Sequence, residues 1–366
     1  MVKRKTASRL VTAVSLLGIT IIAASLLACG STEPVVPANP GQVPEESFIT
    51  PADSLQLPPR GFFMGILPTP GEGQSFSEAH KQASEYAEFS PVWGRPSPFY
   101  DLATELSGSW GETFMEQYIR GNGMFPIIHM SFIDDGMTLK IPSNISGATL
   151  ENQRWRDAYK QAALDIVKAA RPCYLSIGNE VNRWYEHHGA NDGDPDGFQH
   201  YVSLYNEVYD AVKELSPETK VFCTFAREIV SENREVDLDV LKLFDAKKMD
   251  VLVFTSYPFA IKSINLPSDI PDDYFLRASD YMPGKPFGMS ELGWPALDAF
   301  GGEQGQAYFL TQAAGRLTTE QGIDLHLFGW TWLHALDEND YVSLIERNGD
   351  KRMAYSAWKE LSLSGK

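Results

Sequence analysis

Residues 173–180 read Cys173-Tyr174-Leu175-Ser176-Ile177-Gly178-Asn179-Glu180, an apolar run that closes on a glycine, an amide and a carboxylate. A second pattern follows it. Phe198, Tyr201, Val202, Tyr205, Val208, Tyr209, Val212 and Leu215 recur at intervals of three and four, which marks one buried face of a helix. Asp194-Pro195 offers an N-cap and a first-turn proline, and the pattern stops before Pro217. Strand followed by helix is the unit this stretch defines.

The unit repeats along the chain. Strand-like runs are found at Phe62–Pro68, Glu88–Trp93, Phe125–Ser131, Cys173–Asn179, Lys220–Phe225, Val251–Tyr257, Phe287–Glu291 and Leu325–Trp332. Helical patterns lie between most of them, as in Trp155, Tyr159, Ala162, Ile166, Ala170 and in Gln306, Leu310, Ala314, Leu317. Val251-Leu252-Val253-Phe254 has no polar alternation, as befits a parallel strand covered on both faces. Alternating strand and helix specifies an α/β protein. Eight units over the 306 residues from Gly61 average about 38 each, which predicts a single (β/α)8 TIM barrel over 61–366. An open, doubly wound sheet would bring a glycine-rich phosphate loop after its first strand, and Leu67-Pro68-Thr69-Pro70-Gly71-Glu72-Gly73 is a poor one.

The flanking composition sets the context. The chain has 366 residues, 43% of them hydrophobic, and a net charge of −17. That excludes wholesale disorder, and the acidic balance argues against a nucleic-acid partner. Three cysteines cannot make a disulfide scaffold. Lys3, Arg4, Lys5 and Arg9 precede an uncharged stretch from Leu10 to Ala28, the pattern of a secretory signal over 1–28. A membrane-spanning helix is the competing reading of the same stretch. Residues 29–60 are rich in proline and serine, without periodicity, and read as a tether outside the fold.

Barrel enzymes place reacting groups at the C-terminal ends of strands. The fourth run ends in Gly178-Asn179-Glu180 and the seventh in Ser290-Glu291. The two glutamates lie 111 positions apart, or 37 for each of three units, in phase with the repeat. Two facing carboxylates are what cleavage of a glycosidic bond requires, one to deliver a proton and one to attack or to activate water.

Around this pair the sequence resembles the retaining (β/α)8 glycoside hydrolases, and among them glycoside hydrolase family 53, the arabinogalactan endo-β-1,4-galactanases. The resemblance rests on Val92-Trp93, His129-Met130-Ser131, Gly178-Asn179-Glu180, Ser256-Tyr257-Pro258-Phe259, Glu291 and Phe328-Gly329-Trp330-Thr331-Trp332. It implies that Glu180 is the general acid/base and Glu291 the nucleophile. It further implies that Asn179 holds the sugar 2-hydroxyl, Tyr257 donates to the nucleophile, His129 orients the acid side, and Trp330 or Trp332 floors the sugar subsite. Of those two tryptophans, one is expected to face the axis and the other the helices. The chain departs from the family at Pro91, where an arginine would stand; Arg95 follows shortly after. Leu26-Leu27-Ala28-Cys29 resembles a bacterial lipobox, which implies lipidation of Cys29 and a membrane-anchored, extracytoplasmic protein of the cell envelope.

Trp93, Trp184, Tyr185 and Trp294 fall in strand-to-helix loops, where aromatic faces suit sugars. Asp192-Gly193-Asp194-Pro195-Asp196-Gly197 begins like a calcium loop, but its twelfth position is Ser203. No cofactor is therefore expected, with calcium the one metal left open. His187-His188 lack a third zinc ligand, Asp134-Asp135-Gly136 reads as a turn, and Cys173 and Cys223 read as small buried hydrophobes. The expectation is a monomeric, exported, endo-acting glycosidase with a polysaccharide substrate. The alternatives are a glycan-binding barrel that does not cut, or the same chemistry on mannan, glucan or xylan.

Overall fold

The computed structural model describes residues 48–93, 98–317 and 322–364. Eight parallel strands form one sheet: β1 Phe63–Leu67, β2 Phe89–Trp93, β3 Phe125–His129, β4 Tyr174–Ser176, β5 in two segments (Lys220–Phe222 and Thr224–Ala226), β6 Leu252–Ser256, β7 Phe287–Leu292 and β8 Leu325–Trp332. All eight coincide with the apolar runs. The first segment of β5 pairs with β4 and the second with β6, while β8 pairs with β1. Only Cys223 separates the two segments, so the fifth strand closes the sheet into a barrel. Phe63 of β1 meets Phe125 of β3 edge to face at 5.0 Å across the intervening strand, and Gly65 leaves room for the Phe89 ring. Side chains fill the lumen.

The helices α1 Phe76–Ala83, α2 Phe99–Ser107, α3 Gln153–Ala170, α4 Asn182–His188, α5 Phe198–Leu215, α6 Gly302–Arg316 and α7 Met353–Leu363 surround it. After β5 and β6 the covering segments are short 3-10 turns and one four-residue helix, Leu276–Ser279. The α5 cap differs from the expectation. The helix starts at Phe198 with Gly197 as N-cap, and Asp194 instead binds the Asp196 amide within the preceding turn. Asp196 in turn accepts from the Leu150 amide, so these aspartate oxygens serve backbone N–H groups. Among the described residues no group of three or more His, Cys, Asp or Glu side chains is arranged to hold a metal ion.

The tether boundary is corrected. Residues 49–60, assigned to it by composition, are strapped to the barrel. Ile49 and Ala52 donate backbone N–H to Leu215 and Arg171, Asp53 pairs with Arg120 at 2.9 Å, and Arg60 pairs with Glu88. Ile49 and Leu55 pack on the core. These contacts all lie at the N-terminal ends of the strands, opposite the glutamates. Residues 1–28 and Cys29 lie outside the described residues, as does Arg95. No helix of the described residues is long and apolar enough to cross a membrane. Cys173 and Cys223 are free and buried, and the β4–β5 register sets them four positions apart.

Candidate active site

Both glutamates stand where their strands end, and local backbone devices aim them. Glu180 has φ 48°, a left-handed conformation that costs a side-chain-bearing residue about 1–3 kcal/mol. The turn that produces it needs Gly178, where a Cβ would lie 2.2 Å from the Tyr201 hydroxyl. Thr224 of β5 secures the turn: its hydroxyl accepts from the Glu180 amide at 2.8 Å and donates to Asn179 Oδ1 at 2.7 Å. The Asn179 oxygen is thereby occupied, leaving its NH2 end to donate.

Glu291 is aimed by a bulge. Between β6 and β7 the register runs Phe254↔Met289 and then Thr255↔Glu291, so Ser290 is an extra residue. Bulges next to active sites re-aim side chains in this way. Gly329 of β8 permits it, because a Cβ there would sit 2.3 Å from the Ser290 carbonyl oxygen.

The end of β6 joins the site together. Thr255, Ser256 and Tyr257 each donate a hydroxyl to a different carboxylate. Thr255 gives to Glu180 Oε1 at 2.7 Å, Ser256 to Glu228 Oε1 at 2.7 Å, and Tyr257 to Glu291 Oε2. Tyr257 also lies 3.2 Å from the Thr331 hydroxyl. The other Glu180 oxygen accepts from Arg183 at 2.9 Å. Burial, and then repulsion from Glu180, push the Glu291 carboxyl up to about 8, against the lowering effect of the Tyr257 hydroxyl. The two glutamates therefore act on one another electrostatically. Among the described residues Glu291 has no ion-pair partner, and Pro91 lies buried in β2 opposite Ile127.

The remaining predicted residues divide. Tyr257 and Asn179 stand beside the glutamates as expected. His129 hydrogen-bonds neither of them. It is buried in β3, stacked on Trp93 at 4.2 Å, with both ring nitrogens unpartnered among the described residues. Burial pushes its imidazole down to about 3, so it is neutral and supports Trp93 rather than tuning the acid. Trp93 keeps part of its surface exposed.

Trp294 and Trp330 are fully buried, with indole N–H groups donated to the Phe300 and Val342 carbonyls and rings against Phe309 of α6. Neither has a face left for a ligand. Trp184 is buried likewise, donating to the Asp196 carbonyl. On a regular strand Trp330 and Trp332 would share a face, being two apart. The β1–β8 register slips between Ile66↔Trp330 and Leu67↔Trp332, which breaks that rule. Trp332 makes no ring stack among the described residues, is 7% exposed, and has an unpartnered indole nitrogen.

Sequence reasoning missed Glu228, Thr255, Arg183 and Thr331. Three successive hydroxyls, Thr255-Ser256-Tyr257, at the end of an apolar strand were the available signal, since buried hydroxyls demand partners.

No protein-family profile and no curated protein matches the sequence. Solved structures do. GH5_18 from Bifidobacterium longum subsp. longum superposes with TM-score 0.55 at 13% identity, over 82% of this chain and 79% of that one. A GH5_18 variant from Streptomyces cattleya in complex with Manb1-4GlcNAc gives 0.53 at 14%, over 82% and 80%. The exo-beta-1,4-mannosidase of an Opitutaceae bacterium gives 0.56 at 13%, over 88% and 62%. These likenesses establish the (β/α)8 barrel fold.

Proposed function

We propose that the chain is an exported, lipid-anchored retaining β-glycosidase that cuts a polysaccharide internally by double displacement. Glu291 attacks the anomeric carbon while Glu180 gives its proton to the departing glycosidic oxygen. Glu180 then takes a proton from water, whose oxygen displaces Glu291 and regenerates both groups. The observation that carries the reading is geometric: Thr255 gives its hydroxyl to Glu180 and is registered opposite Glu291, whose carboxyl is raised by burial and then by Glu180. Burial, and then Glu180, raise the Glu291 carboxyl to about 8, so below that pH the ligand-free site holds a proton. The reacting pair also needs one proton, moved to Glu180; the stoichiometry is already correct and only its place must change.

Asn179 binds the sugar 2-hydroxyl through its NH2 group, and Trp332 and Trp93 supply apolar surface. We take the substrate to be a β-1,4-linked hexose polymer. Galactan follows from the sequence resemblance, while the Manb1-4GlcNAc bound to one solved neighbour and the mannosidase activity named for another favour mannosides. Anchoring through Cys29 places the enzyme on the bacterial envelope as a monomer, its strap leaving the barrel at the end away from the site.

The test is a panel of β-1,4-galactan, mannan, glucan and xylan with their 4-nitrophenyl β-glycosides. Products are followed by proton NMR at the anomeric position. Release of a β-anomer first supports the reading; release of the α-anomer first, or no release from any member, overturns it. A second reading, a barrel that binds glycan without cutting, is favoured by one observation: Glu291 lacks an ion-pair partner among the described residues while Pro91 replaces the family arginine. Glycan retention unchanged by Glu291→Gln, with no turnover, would establish it.

A further inference from the structure

We propose that Glu228 is a positioning residue for the catalytic pair, holding the end of β6 in the arrangement from which Thr255 and Tyr257 reach Glu180 and Glu291. The proposal rests on the two-glutamate reading above and adds a third carboxylate to it. Glu228 follows β5 and is 4% exposed, so it touches no substrate. Its Oε1 accepts from the Ser256 hydroxyl at 2.7 Å and from the Tyr274 hydroxyl, and its Oε2 accepts from the Tyr257 backbone N–H at 2.7 Å. Backbone and side chain of two consecutive residues are thus tied to one side chain. The residues on either side of Ser256 are the ones that donate to the reacting carboxylates.

The charged and titratable groups facing Glu228 are few. Arg227, the residue before it, is fully buried over the Tyr274 ring at 4.3 Å and donates to the Tyr274 carbonyl and to Glu235. The Tyr274 phenol, and Glu235 paired directly across from Glu228, are the other titratable groups beside it among the described residues. Burial pushes the Glu228 carboxyl up to about 7, against the Tyr257 amide, Tyr274, Arg227 and Ser256. A carboxylate accepts from all its neighbours at once. A glutamine would keep one acceptor oxygen and turn N–H groups toward donors, while an aspartate would keep both oxygens one methylene short.

The experiment compares wild type, Glu228→Gln and Glu228→Asp. It reads kcat and KM on the best substrate of the panel, the pH profile, and the titration of the Glu291 side-chain carboxyl by 13C NMR, assigned with Glu291→Gln. Misplacing a reacting group by about 1 Å costs roughly 100-fold. Glu228→Gln should therefore lower kcat by about 10- to 100-fold with little change in KM and displace the Glu291 titration. Glu228→Asp should recover part of both. Unchanged kcat and an unchanged Glu291 titration in Glu228→Gln would overturn the proposal. If wild type cleaves no member of the panel, the cleavage reading falls and the titration alone decides this one. Should Glu228→Gln fail to fold, Ser256→Ala removes one of the donors and is read in the same way.

Discussion

Thr255 lies directly across from Glu291 in the β6–β7 register and gives its hydroxyl to Glu180 at 2.7 Å. One short side chain thus fixes the relation between two strands that are not neighbours in the barrel. The Ser290 bulge and the left-handed Glu180 backbone complete the convergence. Strain at a strand end and a bulge beside it are the devices by which a rigid barrel holds two carboxyl groups together.

The first consequence is a pH dependence of rate. A nucleophile must be ionised, and Glu291 is held up to about 8 by burial and by Glu180. The pair needs one proton in all and loses it as pH rises through about 8, so in the free enzyme kcat/KM should fall there. Tyr257→Phe removes the donor that favours the ionised form, so the fall should shift to higher pH, while kcat/KM at pH 7 should drop about 10- to 100-fold because Glu291 yields its proton less readily. Initial rates across pH 5–10 for both proteins check this.

Stability should also fall as pH rises. The Glu291 carboxyl is raised from an ordinary value of 4.5 to about 8 in the fold. Its contribution is present in full below the unfolded value and is lost as pH rises through the folded one. The Tm of wild type should fall between pH 5 and 8, and Glu291→Gln should flatten that slope. Scanning calorimetry on both proteins measures it.

The buried tryptophans should act on stability alone. Trp330→Ala leaves a cavity between β8 and α6 and should cost about 3–5 kcal/mol. KM for any substrate cleaved should be unchanged. Trp93→Ala, at a partly exposed ring, should raise KM with a smaller loss of stability. Denaturant unfolding and steady-state kinetics separate the two.

How much of this was legible in the sequence follows from what each feature depends on. Strands covered on both faces announce themselves as unbroken apolar runs, so all eight were readable, and the phase of Glu180 and Glu291 followed from the repeat. Bulges were not readable, because register depends on the neighbouring strand. The facing of Trp330 and Trp332 depends on one such slip. Glu228 was missed because Ala226-Arg227-Glu228 looks like a charged exit from a strand, whereas Arg227 and Glu228 are both buried there. The strap was missed because proline-rich composition says nothing of Asp53 finding Arg120 or Arg60 finding Glu88.

The strap gives a fourth expectation. Truncation through residue 47 should leave Tm unchanged. Truncation through residue 60 strands Arg120 and Glu88 without their partners and should lower Tm on the order of 5–10 °C. Thermal unfolding of the two truncated proteins decides where the folded body begins.

The most direct measurement traps the nucleophile. Incubation with 2-deoxy-2-fluoro-β-glycosyl fluorides of galactose, mannose and glucose, followed by peptide mass mapping, reads which carboxylate forms the bond to the anomeric carbon as fluoride departs. The account predicts a single sugar on the peptide that carries Glu291. A sugar on Glu180 or on any other residue would contradict it, and so would the absence of a label from all three.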